Sequence, residues 1–270
     1  MATENNYFGT RNVNVSPEVD GRPMDNGLYV ATADQLFHAG KRCISWDGCV
    51  YKYSYGVTTM IEDRLAWQSY SQHIDYGANV AATTVAGATS FRVDISATMG
   101  KADDGVIAKD ELLGGRVIVY SDTVATIQRG IVGNDAVATG EMTVYVDAPI
   151  TSILTVDASF VEGICNPWRF VSTGESGGSR SMVGLPNVVT AATAKWLWLQ
   201  TWGPCWVAPQ ADTANAAHNL EIVARSDGSV QSHAYATAMA TLQQHVGFAI
   251  SHAADGTQGA PFWMMQISPV

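Results

Sequence analysis

The sequence is poor in charged residues and contains no basic run. Of its 270 residues 15% are charged, with 15 Lys and Arg against 25 Asp and Glu, and the formal net charge is −10. A protein that binds nucleic acid needs a basic face, so this balance argues against a nucleic-acid partner. So few charges are unusual for a freely diffusing monomer, which indicates that part of the surface faces other protein.

Long apolar stretches and targeting signals are also missing. No uninterrupted apolar run is long enough to cross a bilayer, and the opening MATENNYFGTRNVNV lacks a charged-then-apolar signal pattern. We therefore expect no membrane partner and folding in a cytoplasm. The cysteines are too few and too scattered for a disulfide scaffold; they are Cys43, Cys49, Cys165 and Cys205.

No convincing catalytic motif is present. Residues Gly174 to Gly178 satisfy the G-x-S-x-G pattern around Ser176, but the following GSRSMVGLPNVV is too rich in Gly, Ser and Pro for the helix of a nucleophile elbow. Six dispersed histidines show no metal-ligand spacing, and no phosphate-binding loop or dinucleotide fingerprint occurs. We expect no enzyme, no cofactor and no metal site, with a serine hydrolase acting through Ser176 as the rival interpretation.

Short β segments separated by Gly, Asp and Asn turns dominate the chain. They are rich in Val, Ile, Thr and aromatic residues, which is typical of half-buried antiparallel strands. The candidate strands are 49–55, 89–95, 115–121, 125–132, 142–150, 168–172, 195–202, 220–224, 245–251 and 262–268. Only residues 60–74 show a helical spacing of apolar residues. The pattern predicts an all-β fold of two small barrel-like or sandwich-like domains with few short helices.

Two linker-like stretches, 76–88 and 173–184, bracket a β-rich block. We predict an extended N-terminal arm over residues 1–24, a discontinuous β domain over 25–80 plus 185–270, and an inserted sandwich-like domain over 84–173. Consecutive separate domains are the alternative organisation.

The segment KWLWLQTWGPCWV, residues 195–207, holds half of the eight tryptophans. Strand alternation places Trp196, Trp198 and Trp202 on one face. A buried core strand, a subunit interface and an aromatic platform for glycans remain open. We interpret it as a strand buried by the fold on one side and by a neighbour on the other. The candidate residues for an oligomer or domain interface are Trp196, Trp198, Trp202, Trp206 and Trp263.

Several stretches in order resemble the capsid decoration (cement) proteins of tailed bacteriophages. They are NYFGTRNVNVSP, DGCVYKYSYG, SQHIDYGANVAATTVAGATSFRVDI, LWLQTWGPCWV, and QQHVGFAIS followed by PFWMMQI. The resemblance covers most of the chain. The chain departs from the family pattern in a longer segment at 18–42 and in its denser tryptophans.

This resemblance implies a structural virion protein on the outer capsid surface, assembled in the host cytoplasm. It would bridge neighbouring subunits of the major capsid (shell) protein and associate with itself as a homotrimer. The discontinuous domain would carry shell binding and oligomerisation. We expect the N-terminal arm, around Tyr7, Phe8, Thr10 and Arg11, to extend along the shell and add a strand to a shell-protein sheet. The alternative is a tail, fibre or head-fibre module that recognises host glycans.

Overall fold

The computed structural model contains only strands, turns and loops in the part of the chain that it describes, and this confirms the all-β class. The described residues are 18–19, 22–23, 27–68, 74–95, 106–122, 126–174, 181–190, 194–209, 220–233, 244–250 and 263–267.

The chain divides into two compact units. Unit 1 comprises Met1–Ser69 and Phe170–Val270, and unit 2 comprises Tyr70–Arg169. These bounds differ from the predicted domains, because the strand Ile74–Asn79 pairs within unit 2 although the sequence assigned residues up to 80 to the discontinuous domain.

Unit 1 contains a sheet of 12 strands. Its strands are β1 (Glu18–Val19), β2 (Arg22–Pro23), β3 (Arg42–Ile44), β4 (Val50–Gly56), β5 (Ala66–Gln68), β12 (Val171–Ser172), β13 (Met182–Pro186), β14 (Lys195–Cys205), β15 (Glu221–Ala224), β16 (Val230–Ser232), β17 (His245–Ala249) and β18 (Trp263–Gln266). Their order is β16-β15-β17-β18-β14-β13-β5-β12-β4-β3-β1-β2. An additional pairing of β14 with β4 closes the strands from β14 to β4 into a ring.

Unit 2 contains a sheet of six strands. They are β6 (Ile74–Asn79), β7 (Ser90–Asp94), β8 (Arg116–Tyr120), β9 (Thr126–Asn134), β10 (Glu141–Val146) and β11 (Phe160–Ile164). Their order is β6-β11-β8-β9-β10-β7, and an isolated bridge between Val80 and Val93 joins the two ends. The sheet is therefore barrel-like, and its inward positions such as Val117, Val119 and Val161 are fully buried.

The helical prediction for residues 60–74 is wrong. Residues 62–64 form a turn, Ala66–Gln68 form β5, and β6 begins at Ile74. The backbone N–H of Leu65 donates to the carbonyl of Gly228 at 2.8 Å, and β5 pairs with β12 and β13. Tertiary pairing therefore overrides a weak local helical pattern, and Leu65 and Trp67 both enter the core of unit 1.

The last residues of the predicted N-terminal arm contain two short paired strands. β1 pairs with β2 and also with β3, through Glu18 opposite Ile44. Residues 1–17, including the predicted shell-binding residues Tyr7, Phe8, Thr10 and Arg11, lie outside the described residues. The arm thus joins unit 1 at the edge of its sheet.

Candidate docking surface

The first half of β14 builds the interior of unit 1. Trp196 and Trp198 lie opposite Tyr55 and Tyr53 of β4, and their side chains are only 5% and 2% exposed. The rings of Tyr53 and Trp196 stack with their centroids 5.3 Å apart, and Tyr53 lies 5.0 Å from Trp198. These contacts form an aromatic core cluster on one face of β4 and β14.

A loop from the 18–42 segment covers this aromatic cluster. Leu28 is buried in it, and the Phe37 ring packs 5.3 Å from Tyr53 and 5.5 Å from Trp198. Thr32 and Trp196 exchange backbone hydrogen bonds of 2.8 Å. The chain's own loop therefore covers Trp196 and Trp198.

A β-bulge then changes the direction of the side chains. Gln200 lies opposite Tyr51, but Trp202 lies opposite Val50, so the register shifts between Gln200 and Trp202. An extra residue reverses the alternation for every position that follows. The prediction that Trp202 shares a face with Trp196 and Trp198 is therefore wrong.

Beyond the bulge, β14 contributes to an apolar sheet surface, here called the outer face. Cross-strand pairs place its members on one side of the sheet: Ile44 opposite Val50, Val50 opposite Trp202, Pro204 opposite Met264, and Met264 opposite Phe248. Ile44 and Phe248 are 41% and 39% exposed, Pro204 is exposed, and Trp202 and Met264 are half-buried. The outer face consists of Ile44, Trp202, Pro204, Phe248 and Met264.

Trp206 follows Pro204 by two residues and is 46% exposed. Its neighbours Cys205 and Val207 are buried in a second core cluster of unit 1, so the chain holds Trp206 between two fixed positions. Trp263 pairs with Cys205 through the backbone, but its side chain lies outside the described part of the chain. Of the predicted interface residues, Trp202 and Trp206 are therefore the ones that the described surface offers to a partner.

Comparison with known proteins does not identify the chain. No family model, no curated protein and no solved structure matches it. Within the described ranges, no group of three or more His, Cys, Asp and Glu side chains could hold a metal ion. No helix long and apolar enough to cross a membrane occurs among the residues that the structure describes. Ser176, the centre of the G-x-S-x-G pattern, lies outside those residues.

Two thiols of unit 1, those of Cys49 and Cys205, have raised pKa values. Burial, together with the nearby Asp47 carboxylate, raises the pKa of Cys49 to about 11. Burial also raises the pKa of Cys205. All four cysteines of the chain are buried and none forms a disulfide. These thiols act as small core side chains rather than as nucleophiles.

The β3–β4 hairpin tip, residues 45–49, adjoins the outer face. It projects Trp46, which is 61% exposed and lies two residues after Ile44. Below the tip, a Cβ on Gly203 would lie 2.6 Å from the Cys49 Sγ, which shows how closely the tip approaches β14. The hairpin tip that carries Trp46 is therefore adjacent to the outer face.

A polar group borders the outer face at its other end. Glu221 lies opposite Phe248, and its carboxylate is 3.2 Å from the Nδ1 of His233 and 4.0 Å from the Nε2 of His245. An apolar centre with a polar margin is the usual composition of a protein–protein interface. The surface at the C-terminal half of β14 has this composition. Sequence reasoning named Trp202 but missed Ile44, Pro204 and Phe248, because the members come from four separate segments.

Proposed function

We propose that the protein is a structural virion protein that binds the outer surface of an icosahedral phage capsid. It stabilises the capsid by bridging neighbouring subunits of the major shell protein. The observation that carries the proposal is the continuous pairing from Glu18, where the N-terminal arm joins the sheet, through Ile44 and Val50 to Trp202. Glu18, where the predicted arm joins the sheet, is thus linked to the outer face through neighbouring strands, which supports contact of both with one partner.

The proposed attachment combines two kinds of contact. The 17 residues before Glu18 can reach at most about 60 Å when extended. Residues around Tyr7, Phe8, Thr10 and Arg11 add a strand to a shell-protein sheet. Apolar burial at the outer face supplies the second contact, and self-association as a homotrimer multiplies both by avidity.

Deletion of residues 2–15 tests the arm. Full-length protein is expected to sediment with shells assembled from the major capsid protein, whereas the deletion variant stays in the supernatant. Native mass spectrometry of the variant is expected to show the oligomer of the full-length protein, because the deletion spares the described sheet. Equal occupancy of shells by the two proteins would contradict the arm's role.

Exposed tryptophans also support a second candidate, a module that recognises host glycans. Trp46 and Trp206 are 61% and 46% exposed, and exposed aromatic rings stack on sugars. A glycan array probed with the full-length chain separates the two functions. Binding to defined glycans without binding to shells would favour the receptor-binding module.

A further inference from the structure

Gln200 is a polar residue in the buried part of β14. It is 6% exposed and stands between Leu199 and Thr201, which are both fully buried. Burial of an amide costs free energy unless the amide is hydrogen-bonded. The Gln200 amide finds its partners within its own strand, because its Nε2 donates to the carbonyl of Pro204 at 2.9 Å and to that of Trp202 at 3.3 Å. The side chain therefore bridges the β-bulge.

These two carbonyls lie where β14 loses a neighbouring strand. The pairing of β14 with β4 ends at Trp202. At the other edge of β14, the Thr201 carbonyl accepts from the backbone N–H of Ile267 at 3.0 Å. Successive carbonyls of a strand point to opposite edges, so those of Trp202 and Pro204 point to the edge that β4 has left. The Gln200 amide therefore supplies donors that a longer β4 would supply in a regular ladder.

The hydrogen bond from Gln200 to Pro204 depends on the bulge. Four residues of a regular strand span about 13 Å, which exceeds the length of a glutamine side chain. The bulge shortens this distance, and it also moves Trp202 from the face of Trp198 to the outer face. The hydrogen bond and the outward position of Trp202 therefore belong to the same register of β14.

We propose that Gln200 sets the register of β14 at the bulge and so directs Trp202 onto the outer face. Gln200 is a positioning residue, since it acts through the backbone carbonyls of Trp202 and Pro204 rather than by touching a partner. Without the amide, these carbonyls lose their donors, and regular alternation becomes the competing register. The consequence for binding rests on the proposed function, in which the outer face contacts the shell protein.

Gln200→Met is the decisive variant, because methionine keeps the length of the side chain and removes both donors. The readout is fluorine NMR of protein labelled with 5-fluorotryptophan, in which a Trp202→Phe variant assigns the Trp202 resonance. We expect this resonance to shift in Gln200→Met, together with its difference between light and heavy water, because the ring leaves the outer face. A Trp202 resonance that stays in its original position would overturn the proposal.

Leu197→Ala is the matched control. Leu197 is fully buried in β14 before the bulge, so its truncation destabilises unit 1 without removing the hydrogen bonds of Gln200. We expect the melting temperature to fall in Leu197→Ala while the Trp202 resonance stays in place. Equal shifts in the two variants would mean that any loss of packing moves Trp202, and the positioning role would be wrong.

Hydrogen exchange in the unchanged protein provides a test that needs no variant to fold. The side-chain amide protons of Gln200 are expected to exchange with solvent more slowly than those of Gln128, which is exposed in unit 2. Slow exchange is the signature of a buried hydrogen-bonded amide. Equally fast exchange at the two glutamines would show that Gln200 does not hold the bulge.

Sedimentation with shells assembled from the major capsid protein connects the register to the proposed function. We expect Gln200→Met to bind shells about 10-fold more weakly, as when an interface tryptophan is displaced, and Leu197→Ala to stay within about 3-fold. If the unchanged protein does not bind shells, the proposed function fails, while the NMR measurements still decide the role of Gln200. If the Trp202 resonance shifts but shell binding is unchanged, the consequence for binding is wrong.

Discussion

The two halves of β14 use the same residue type for opposite purposes. Before the bulge, Trp196 and Trp198 are 5% and 2% exposed and pack on the tyrosines of β4; after it, Trp202 is half-buried and Trp206 is 46% exposed. One extra residue separates the halves. Because strand side chains alternate, that residue turns a core-building pattern into a surface-building one. Tryptophan density alone therefore does not distinguish core from interface.

The largest expected effect lies in the first half. Trp198→Ala leaves a cavity among Phe37, Tyr53 and Trp196, and we expect it to lower the free energy of unfolding of unit 1 by about 3–5 kcal/mol. Guanidinium denaturation followed by tryptophan fluorescence measures this, because every tryptophan except Trp168 belongs to unit 1. A loss below about 1 kcal/mol would show that the cluster is not the core of the unit.

The junction of the two halves is the next most sensitive point. Gly203 has a φ of +105°, and a Cβ there would lie 2.6 Å from the Cys49 Sγ and 3.2 Å from its Cα. Gly203→Ala combines backbone strain with this overlap, so we expect a loss of about 2–4 kcal/mol in the same denaturation experiment.

Gly48→Ala is the matched control for that junction. Its φ is +84°, but no atom lies within 4 Å of the added Cβ, so strain acts there without overlap. We expect a loss of about 1 kcal/mol. Equal losses at the two glycines would mean that close packing of β14 against the hairpin contributes nothing.

Strand composition and turn residues predicted much of the fold. All ten candidate strands overlap observed strands; for example, 115–121 contains β8 and 245–251 contains β17. The alternation of apolar residues in the sequence matches the burial pattern of the strands, as in β8, where Val117 and Val119 are buried. Strands such as β13, MVGLP, were missed because Gly and Pro mask their pairing and only the neighbouring strands establish it.

The candidate surface was less predictable for a physical reason. A bulge leaves no reliable mark in a single sequence, so the alternation rule placed Trp202 on the wrong face. The loop that covers Trp196 could not be predicted either, because Leu28 and Phe37 lie in a segment without strand periodicity. The exposure of Trp46 was not predicted, because residues 45–48, SWDG, have the composition of a turn and no strand alternation that would assign the ring to a face. Cross-strand register is a tertiary property, and it decides which side chains meet.

The pH dependence of stability tests the role of the Asp47 carboxylate at the hairpin tip, residues 45–49. Burial alone would raise the pKa of Asp47, but hydrogen bonds from Ser45 and Cys49 outweigh it and lower the pKa below the ordinary value of 3.8. A carboxylate with a depressed pKa in the folded state stabilises the fold above its unfolded pKa, and that stabilisation disappears as the pH falls through the folded pKa. At pH 7 we expect the free energy of unfolding of the unchanged protein to be about 0.5–1 kcal/mol larger than that of Asp47→Asn.

The pH series also provides its own check. The difference in free energy of unfolding between the unchanged protein and Asp47→Asn is expected to be constant above about pH 5. It is expected to shrink below about pH 4, because protons then bind the carboxylate. Unfolding at matched pH values measures it. A difference that persists unchanged to the lowest pH would assign the effect to the shape of the side chain rather than to its charge.

The smallest effect on stability is expected at Trp206, the first residue after β14. Trp206→Ala removes a ring that is 46% exposed, so we expect the free energy of unfolding of unit 1 to change by no more than about 0.5 kcal/mol. Shell binding or self-association is expected to weaken in the same variant, because a surface tryptophan that contributes little to folding is available for a partner. Sedimentation with shells and native mass spectrometry measure the two possibilities separately. If stability falls by 2 kcal/mol or more, as at a core position, Trp206 belongs to the core, as Trp196 and Trp198 do. If stability, oligomer and shell binding are all unchanged, Trp206 is not part of an interface, and the exposure of its ring has no functional role.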